Sequence, residues 1–307
     1  MIPHKMLLLL VLMVLSSACA SGQAAKGDVC PADAKEFAAI QQKAEAKDPA
    51  AQTSLAFCYD RGMHVQPDGK ESIRLLTEAA EQGYTPAQYE VGRIYLYGRG
   101  VPIDYARALL WERKAAERGD PRAQRDLAFM YERGFGVPAD PAQAAAWSRK
   151  AAARGNPEAQ GQLARALDEG VGVQKNPAEA HKLYAKAARQ EQPAAQLELA
   201  RKLAQKPDCQ GAIHWYKEAA AHGQTAAMYE LGKLYLTSKC GVYRIHAFTW
   251  FSIGARFGSV ESKAEATELA RTLTLGQKNG AQIAADQWIK EHPGADKEED
   301  EEEKEEH

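Results

Sequence analysis

The chain has 307 residues and a formal net charge of -2, which conceals an uneven distribution of charge. The segment 296–306 holds nine acidic residues against two lysines, a net of -7, so the rest of the chain carries +5. This excess of positive charge is too small to indicate a nucleic-acid-binding protein, and no nucleic acid is expected among the partners.

The first 20 residues have the pattern of an export signal. Lys5 precedes an unbroken apolar run of ten residues, 6–15. A permanent membrane-spanning helix needs about 20 apolar residues. We therefore predict that 1–20 is a signal peptide, removed from the mature chain.

Two cleavage sites are compatible with the end of this signal. The sequence LSSAC at 15–19 resembles the bacterial lipobox, although its apolar residue lies one position further from the cysteine than usual. The sequence ACA at 18–20 fits ordinary signal peptidase instead, which would leave a soluble periplasmic or secreted protein. Lipidation of Cys19 is the preferred interpretation, because a cysteine without another role is uncommon in a signal peptide. The residue after that cysteine is Ala20 rather than aspartate. By resemblance to the sorting rule of Gram-negative lipoproteins, this implies an outer-membrane lipoprotein that faces the periplasm and is held at the membrane only by a lipid anchor.

A repeat dominates the middle of the chain. The segment 21–47 is predicted to be an N-terminal capping helix. Three gapless copies of a 36-residue unit occupy 79–114, 115–150 and 151–186. A degenerate copy precedes them and two irregular copies follow, which gives six repeats over 48–258.

Each repeat carries the start and stop signals of two helices. The first helix opens after a proline (Pro86, Pro121 or Pro157), a residue that suits the first helical turn, and ends in Gly-x-Gly-Val. The second opens at a side chain that accepts backbone N–H groups and closes on glycine. The opening residues are Asp104, Asp140, Asn176 and Asp208, and the closing ones are Gly83, Gly119, Gly155 and Gly223.

The apolar positions predict how these helices pack. One position of the first helix is always Leu or Val, the next is Ala or Gly, and Tyr or Leu follows one turn later. In the second helix an alanine stands three residues before a bulky side chain, usually tryptophan. We predict that Trp111, Trp147, Trp215 and Trp250 pack in the core and bind no ligand.

The motifs A-x-x-x-L-[GA]-x-x-Y, G-x-G-V, D/N-x-x-x-A and K-A-A-x-x-G, repeated over 48–258, resemble the Sel-1-like repeat family, relatives of the tetratricopeptide repeats. The resemblance implies an all-α fold, a right-handed α-solenoid of stacked antiparallel helix pairs. It also implies a protein that binds other proteins. The copy from Ala187 departs most, because it has Leu203 in place of the tyrosine and lacks G-x-G-V.

The period stops after residue 258. The segments 259–273 and 277–291 predict two further helices, a C-terminal cap over 259–292 of the kind that solenoids need. The sequence TLGQ at 274–277 has the capping-box pattern, and Trp288 is predicted to anchor the cap. The acidic segment 293–307 is predicted to be disordered, because its like charges repel one another and stay solvated.

Four cysteines remain in the predicted mature chain. Cys30, Cys58, Cys209 and Cys240 allow three pairings in an oxidising compartment. They fall into an early and a late pair, which favours Cys30–Cys58 and Cys209–Cys240. Free buried thiols are the alternative.

No motif for catalysis or for a cofactor is found. The chain lacks H-E-x-x-H and C-x-x-C, and its histidines share no metal-ligand spacing. Some cysteine-rich members of the family have been associated with penicillin binding or β-lactamase activity, but no serine here is followed three positions later by lysine, and Lys-Thr-Gly is absent. We therefore predict a non-enzymatic protein.

Partner binding is predicted on the first helices, which line the concave surface of helical solenoids. Positions that vary between repeats offer cations and aromatic rings, the usual hot-spot residues, and arginine suits carboxylates. The predicted binding residues are Tyr89, Arg93, Arg125, Phe129, Arg165, Arg201, Tyr229 and Lys233. The expected partner is an envelope protein or an extended acidic peptide, with peptidoglycan as the alternative. A purely structural interpretation is that these arginines solvate a helix face or pair with Glu90, Asp126 and Glu198.

Overall fold

A computed structural model describes residues 30–206, 208–237 and 240–293. These residues form 15 helices and no strand, as the sequence predicts for an all-α repeat protein. The predicted signal peptide with Cys19, and the acidic segment from residue 294 onward, lie outside the described residues. The chain forms two compact units, Met1–Arg118 and Gly119–His307, which are described separately.

The first unit contains five helices. They are α1 (Ala34–Glu45), α2 (Pro49–Arg61), α3 (Gly69–Glu81), α4 (Thr85–Tyr97) and α5 (Tyr105–Glu117). Helix α1 precedes the repeats, and each following pair, α2/α3 and α4/α5, is one repeat. Every helix packs against its neighbour in sequence, the arrangement of stacked antiparallel helix pairs.

The second unit contains the other four repeats and two further helices. The repeats are α6 (Pro121–Arg133) with α7 (Pro141–Ala153), α8 (Pro157–Glu169) with α9 (Pro177–Ala188), α10 (Pro193–Ala204) with α11 (Cys209–Ala221), and α12 (Thr225–Leu234) with α13 (Arg244–Arg256). The last helices are α14 (Val260–Ala270) and α15 (Leu275–Glu291).

Side-chain caps begin the second helices where the sequence predicts them. The capping residues of α5, α7, α9 and α11, each accepting a backbone N–H, are Asp104, Asp140, Asn176 and Asp208. In repeat 6 Tyr243 takes this place, and α13 starts without a side-chain cap. The turn before it still closes with the same backbone bond, because Tyr243 N donates to Tyr235 O at 2.8 Å as Asp104 N does to Tyr95 O at 2.9 Å.

The core follows the repeated apolar positions. The Leu/Val position of the first helix is buried in all six repeats, as Leu55, Val91, Leu127, Leu163, Leu199 and Leu231. The small residue after it allows close approach of the second helix. At Gly232 a Cβ atom would lie 2.5 Å from Cε1 of Phe251, so a larger side chain has no room there.

The tryptophans of the second helices pack less deeply than predicted. Trp250 is buried, whereas Trp111, Trp147 and Trp215 are half-buried. Lysines three residues along the helix cover part of the exposed rings. Nζ of Lys114 lies 4.1 Å from the centre of the Trp111 ring, and Nζ of Lys150 lies 3.6 Å from that of Trp147. These rings therefore combine packing with a cation–π contact.

Two helices close the second unit after the repeats. The predicted capping box is present, because Gln277 N donates to Thr274 Oγ1 at 3.3 Å and Thr274 N donates to Gln277 Oε1 at 2.9 Å. Helix α15 starts at Leu275, two residues earlier than predicted. The ring of Trp288 lies 5.2 Å from that of Trp250, edge to face, which joins α15 to the last repeat.

Both disulfides join the pairs that the sequence favours. Cys30–Cys58 is buried, with Cα atoms 5.0 Å apart, and Cys209–Cys240 is half-buried, with Cα atoms 5.5 Å apart. The first bond ties the segment before α1 to α2. His64 supports this attachment, since its Nε2 lies 2.8 Å from Pro31 O and its ring stacks on Phe37.

Candidate functional site

Two variable positions recur on each first helix. One is the residue directly after the small residue, and the other follows four positions later. In repeats 1 to 4 the second position lies one turn along the same helix, and in repeats 5 and 6 it lies after the end of the helix. We call these two residues the variable pair of a repeat. From repeat 1 to repeat 6 the pairs are Phe57/Arg61, Arg93/Tyr97, Phe129/Arg133, Arg165/Glu169, Arg201/Gln205 and Lys233/Thr237.

In the first unit each variable pair combines a cation with an aromatic ring. The guanidinium of Arg61 lies 5.9 Å from the centre of the Phe57 ring. The guanidinium of Arg93 lies 5.3 Å from the Tyr97 ring and 5.8 Å from the Tyr89 ring, so it stands between two tyrosines. Such contacts hold a guanidinium in place beside the rings.

Repeat 3, in the second unit, has the same chemistry. The guanidinium of Arg133 lies 5.5 Å from the centre of the Phe129 ring. Phe135, in the turn that follows, meets Phe129 edge to face at 5.6 Å. Arg133 is exposed and the two rings are half-buried, which makes a small aromatic platform with a cation at its rim.

Arg61 and Arg133 share a further property. Both are exposed, and neither forms an ion pair with a carboxylate among residues 30–206, 208–237 and 240–293. Each stands in the last turn of its helix, where the negative end of the helix dipole favours a cation. Within the described part of the chain, a ring and a helix terminus lie beside each of these two charges.

In the variable pairs of repeats 4 to 6 the cations form ion pairs with carboxylates of adjacent helix pairs. Arg165 donates to Glu132 of the previous repeat at 2.6 Å, and Lys233 donates to Glu265 at 3.3 Å. The neighbouring Lys202 donates to Asp168, also of the previous repeat, at 2.6 Å. These ion pairs join adjacent helix pairs, so in this part of the chain the first-helix cations hold the stack together.

Arg201 is the centre of the largest of these networks. Its Nε donates to both oxygens of Glu230 at 2.9 and 3.1 Å, and its other nitrogens bond to Glu198 and Glu230. The hydroxyl of Tyr216 donates to the same Glu230 at 2.8 Å. The hydrogen bond to Glu230 raises the pKa of Arg201, while burial is the main cause that raises the pKa of Tyr216. Both shifts favour the protonated forms, in which Arg201 and Tyr216 donate to Glu230.

The predicted binding residues thus divide into several groups. Tyr89 is buried, with 3% of its surface exposed, so its ring is a packing element rather than an open contact. Arg125 forms an ion pair with Asp126 at 2.7 Å, both side chains being largely covered. The ring of Tyr229 lies 5.9 Å from that of the core residue Phe251. Arg93 and Phe129 keep the predicted character of a cation and a ring at the surface.

Some members of the surface were missed from the sequence. Phe57, Arg61, Tyr97 and Arg133 belong to it, and comparing each variable residue with the residue four positions later would have found them. A buried glutamine in each of repeats 1 to 5 was also missed. Gln88, Gln160 and Gln196 donate to Ala80 O, Ala152 O and Ala188 O, carbonyl groups in the last turn of the preceding second helix that also accept a backbone N–H. Their role is structural.

The described residues were also searched for a metal site and for a membrane-spanning helix. No group of three or more potential metal ligands is found among the residues that the structure describes. Within the same residues, no helix combines the length and apolar character needed to cross a bilayer. The rings and cations described above make the first-helix variable pairs the candidate functional site.

Known proteins support the repeat assignment. The Sel1 repeat model matches residues 49–84, 85–120, 121–156, 157–191, 193–224 and 225–257. A crystal structure of a Sel1 repeat protein from Oxalobacter formigenes is 29% identical, with a TM-score of 0.63, and covers 73% of this chain and 99% of that one. A putative Sel1 repeat protein from Klebsiella pneumoniae is 23% identical, with a TM-score of 0.43, and covers 64% and 99% respectively. No curated protein matches the chain.

Proposed function

Because this chain belongs to the Sel1 repeat family, whose repeats generally mediate protein–protein interactions, we propose that it is a non-enzymatic binding scaffold of the bacterial cell envelope. Its partner is an envelope protein that presents an extended acidic segment to the first helices. One observation carries the proposal: the exposed guanidinium groups of Arg61 and Arg133 stand beside aromatic rings and have no carboxylate partner among the described residues.

The two classes of variable pair suggest a division of labour. In repeats 1 to 3 the pairs carry rings and guanidinium groups, the side chains that dominate protein interfaces, and we assign partner contact to Arg93, Phe129 and the two unpaired arginines. In repeats 4 to 6, Arg165, Arg201 and Lys233 are used between helices. A partner would have to break those ion pairs, so we assign them to the rigidity of the scaffold.

Recovery of partners from the native envelope tests this function. The tagged mature chain is crosslinked in its own cells, and the recovered proteins are compared with those of Arg61→Glu/Arg133→Glu. We expect a partner that the double variant loses, because charge reversal repels an acidic segment. Lys182→Glu/Lys217→Glu is the matched control, since it reverses two exposed lysines of second helices and should retain the partner. Equal recovery by both variants contradicts the proposed surface, and recovery of peptidoglycan alone favours the alternative partner.

Export and anchoring form a second part of the proposal. The two disulfides support folding in an oxidising compartment. We propose that Cys19 is lipidated and holds the protein at the outer membrane. Replacing Cys19 with serine should move the protein from the membrane to the soluble fraction, as judged by fractionation and immunoblotting, while Ser17→Ala should leave it in place. A mature N-terminus at Ser21 in the wild-type protein would refute lipidation.

A further inference from the structure

A cavity opens between repeats 3 and 4, within the second unit, and none of its lining residues belongs to a variable pair. Its volume is about 410 Å³, within the range of about 300–1,000 Å³ that small-molecule sites occupy. Helices α7, α8 and α9 and the turn before α9 line it with Arg149, Leu167, Val173, Lys175, Asn176 and Glu179. We propose that this cavity binds a free α-amino acid with an aliphatic side chain.

The cavity lies where repeat 4 departs from the pattern of repeats 2 and 3. Asn176 N donates to Leu167 O at 2.7 Å, the same turn bond that closes on Tyr95 in repeat 2, so Leu167 takes the place of a tyrosine. In repeat 2 Arg107 covers that tyrosine, because its Nη1 donates to the Tyr95 hydroxyl at 3.3 Å. Repeat 4 has Glu179 in the place of Arg107. A shorter aliphatic chain and a carboxylate therefore replace an internal contact between a ring and a cation.

Two opposite charges stand side by side at this cavity. Arg149 Nη1 donates to Glu179 Oε1 at 3.2 Å. Asn176 holds the same carboxylate from the other side, since its Nδ2 donates to Glu179 Oε2 at 3.0 Å. The side chains of Arg149 and Glu179 are 52% and 38% exposed. Such an exposed ion pair contributes little stability, so a ligand that carries both charges can replace it at small cost.

The lining groups match the two charges and the side chain of an amino acid. The ammonium group of the ligand would donate to Glu179, and its carboxylate would accept charge-assisted hydrogen bonds from Arg149. Lys175 adds a second cation, and it forms no ion pair with another residue that the structure describes. Leu167 and Val173 supply an apolar wall for an aliphatic side chain. A free amino acid carries both charges on one carbon atom, whereas each end of a peptide carries one of them.

Titration of the purified full chain with L-leucine, followed by isothermal calorimetry, tests the proposal. We expect a Kd of about 1 mM or tighter. Leucinamide lacks the carboxylate and isocaproate lacks the ammonium group, so each should bind about tenfold more weakly than leucine. Absence of leucine binding, or equal binding of the three compounds, overturns the proposal.

Variants locate the ligand in the cavity. Leu167→Tyr restores the residue of repeats 2 and 3, and its ring should fill the space and weaken leucine binding more than about tenfold. Lys182→Ala removes an exposed cation of α9 that does not line the cavity, and it should change the Kd less than about twofold. Circular dichroism checks that each variant folds. Equal leucine binding by Leu167→Tyr and the wild type contradicts the site.

Glu179→Gln gives a readout that loss of fold cannot imitate. Leucine should bind about tenfold more weakly, because its ammonium group loses an ionic partner. Isocaproate should bind at least as tightly as it does to the wild type, because Arg149 is released from its internal ion pair. Equal weakening of both ligands, or no change in either, overturns the proposal. The experiment is independent of the proposed partner surface, since it uses neither a protein partner nor a variable pair.

Discussion

Replacing Phe251 with alanine is expected to lower the free energy of unfolding of the second unit by about 3–5 kcal/mol. Phe251 is the bulkiest of the completely buried side chains among the described residues, and it packs with Met228 and Leu231 in the core around α12 and α13. Alanine would leave a cavity that the surrounding helices fill only in part. Urea unfolding followed by circular dichroism measures the loss.

A matched pair of variants tests the reason for this effect. In Gly232→Ala the added methyl group enters space that the Phe251 ring occupies, and we expect a loss of about 1–3 kcal/mol from overpacking. In Gly232→Ala/Phe251→Leu the smaller side chain gives way, so the double variant should be more stable than the sum of the single losses predicts. If the losses in free energy of unfolding simply add, the side chains at positions 232 and 251 do not interact.

Local signals explain why the fold was predictable. A helix start such as Asp104 acts within one turn, a small residue such as Gly92 acts against the next helix of the same repeat, and the period of 36 residues repeats both signals in successive copies. The capping box at Thr274 is equally local and is present as predicted. Burial at Leu127 and Leu163 follows from the same register. The helices and their caps could therefore be predicted from short-range signals, and the stacked architecture from the repeat.

The candidate surface was only partly predictable, because its properties depend on distances between repeats. Arg165 pairs with Glu132 in the previous repeat, whereas Arg201 pairs with Glu230 in the following one. The sequence spacing does not determine whether a cation pairs with the previous or with the following repeat. This depends on which neighbouring repeat carries a carboxylate within reach of the long side chain. Tyr89 also lies one turn before the variable position, yet it is buried. A surface pattern in sequence thus identifies the face of a helix, but not which of its cations are already paired.

The disulfide between Cys209 and Cys240 is expected to contribute about 3–4 kcal/mol to the stability of the second unit in the chain-entropy model. It closes a separation of 31 residues around the repeat that lacks G-x-G-V, and so fixes the start of α11 to the turn after α12. Cys209→Ala/Cys240→Ala should therefore lower the urea midpoint under oxidising conditions and have no further effect under reducing ones.

The second disulfide provides the comparison. Cys30–Cys58 closes a similar separation of 28 residues but is buried, whereas Cys209 and Cys240 are half-buried and more accessible to thiolate attack. Mild reductant should therefore open Cys209–Cys240 first, as followed by alkylation and peptide mapping. Simultaneous reduction of the two bonds, or a Cys209 peptide linked to Cys30 or Cys58 in the non-reduced protein, contradicts this assignment. Because the more accessible bond fixes the loops of repeats 5 and 6, its selective loss should loosen α11 and α12 and leave α1 and α2 joined.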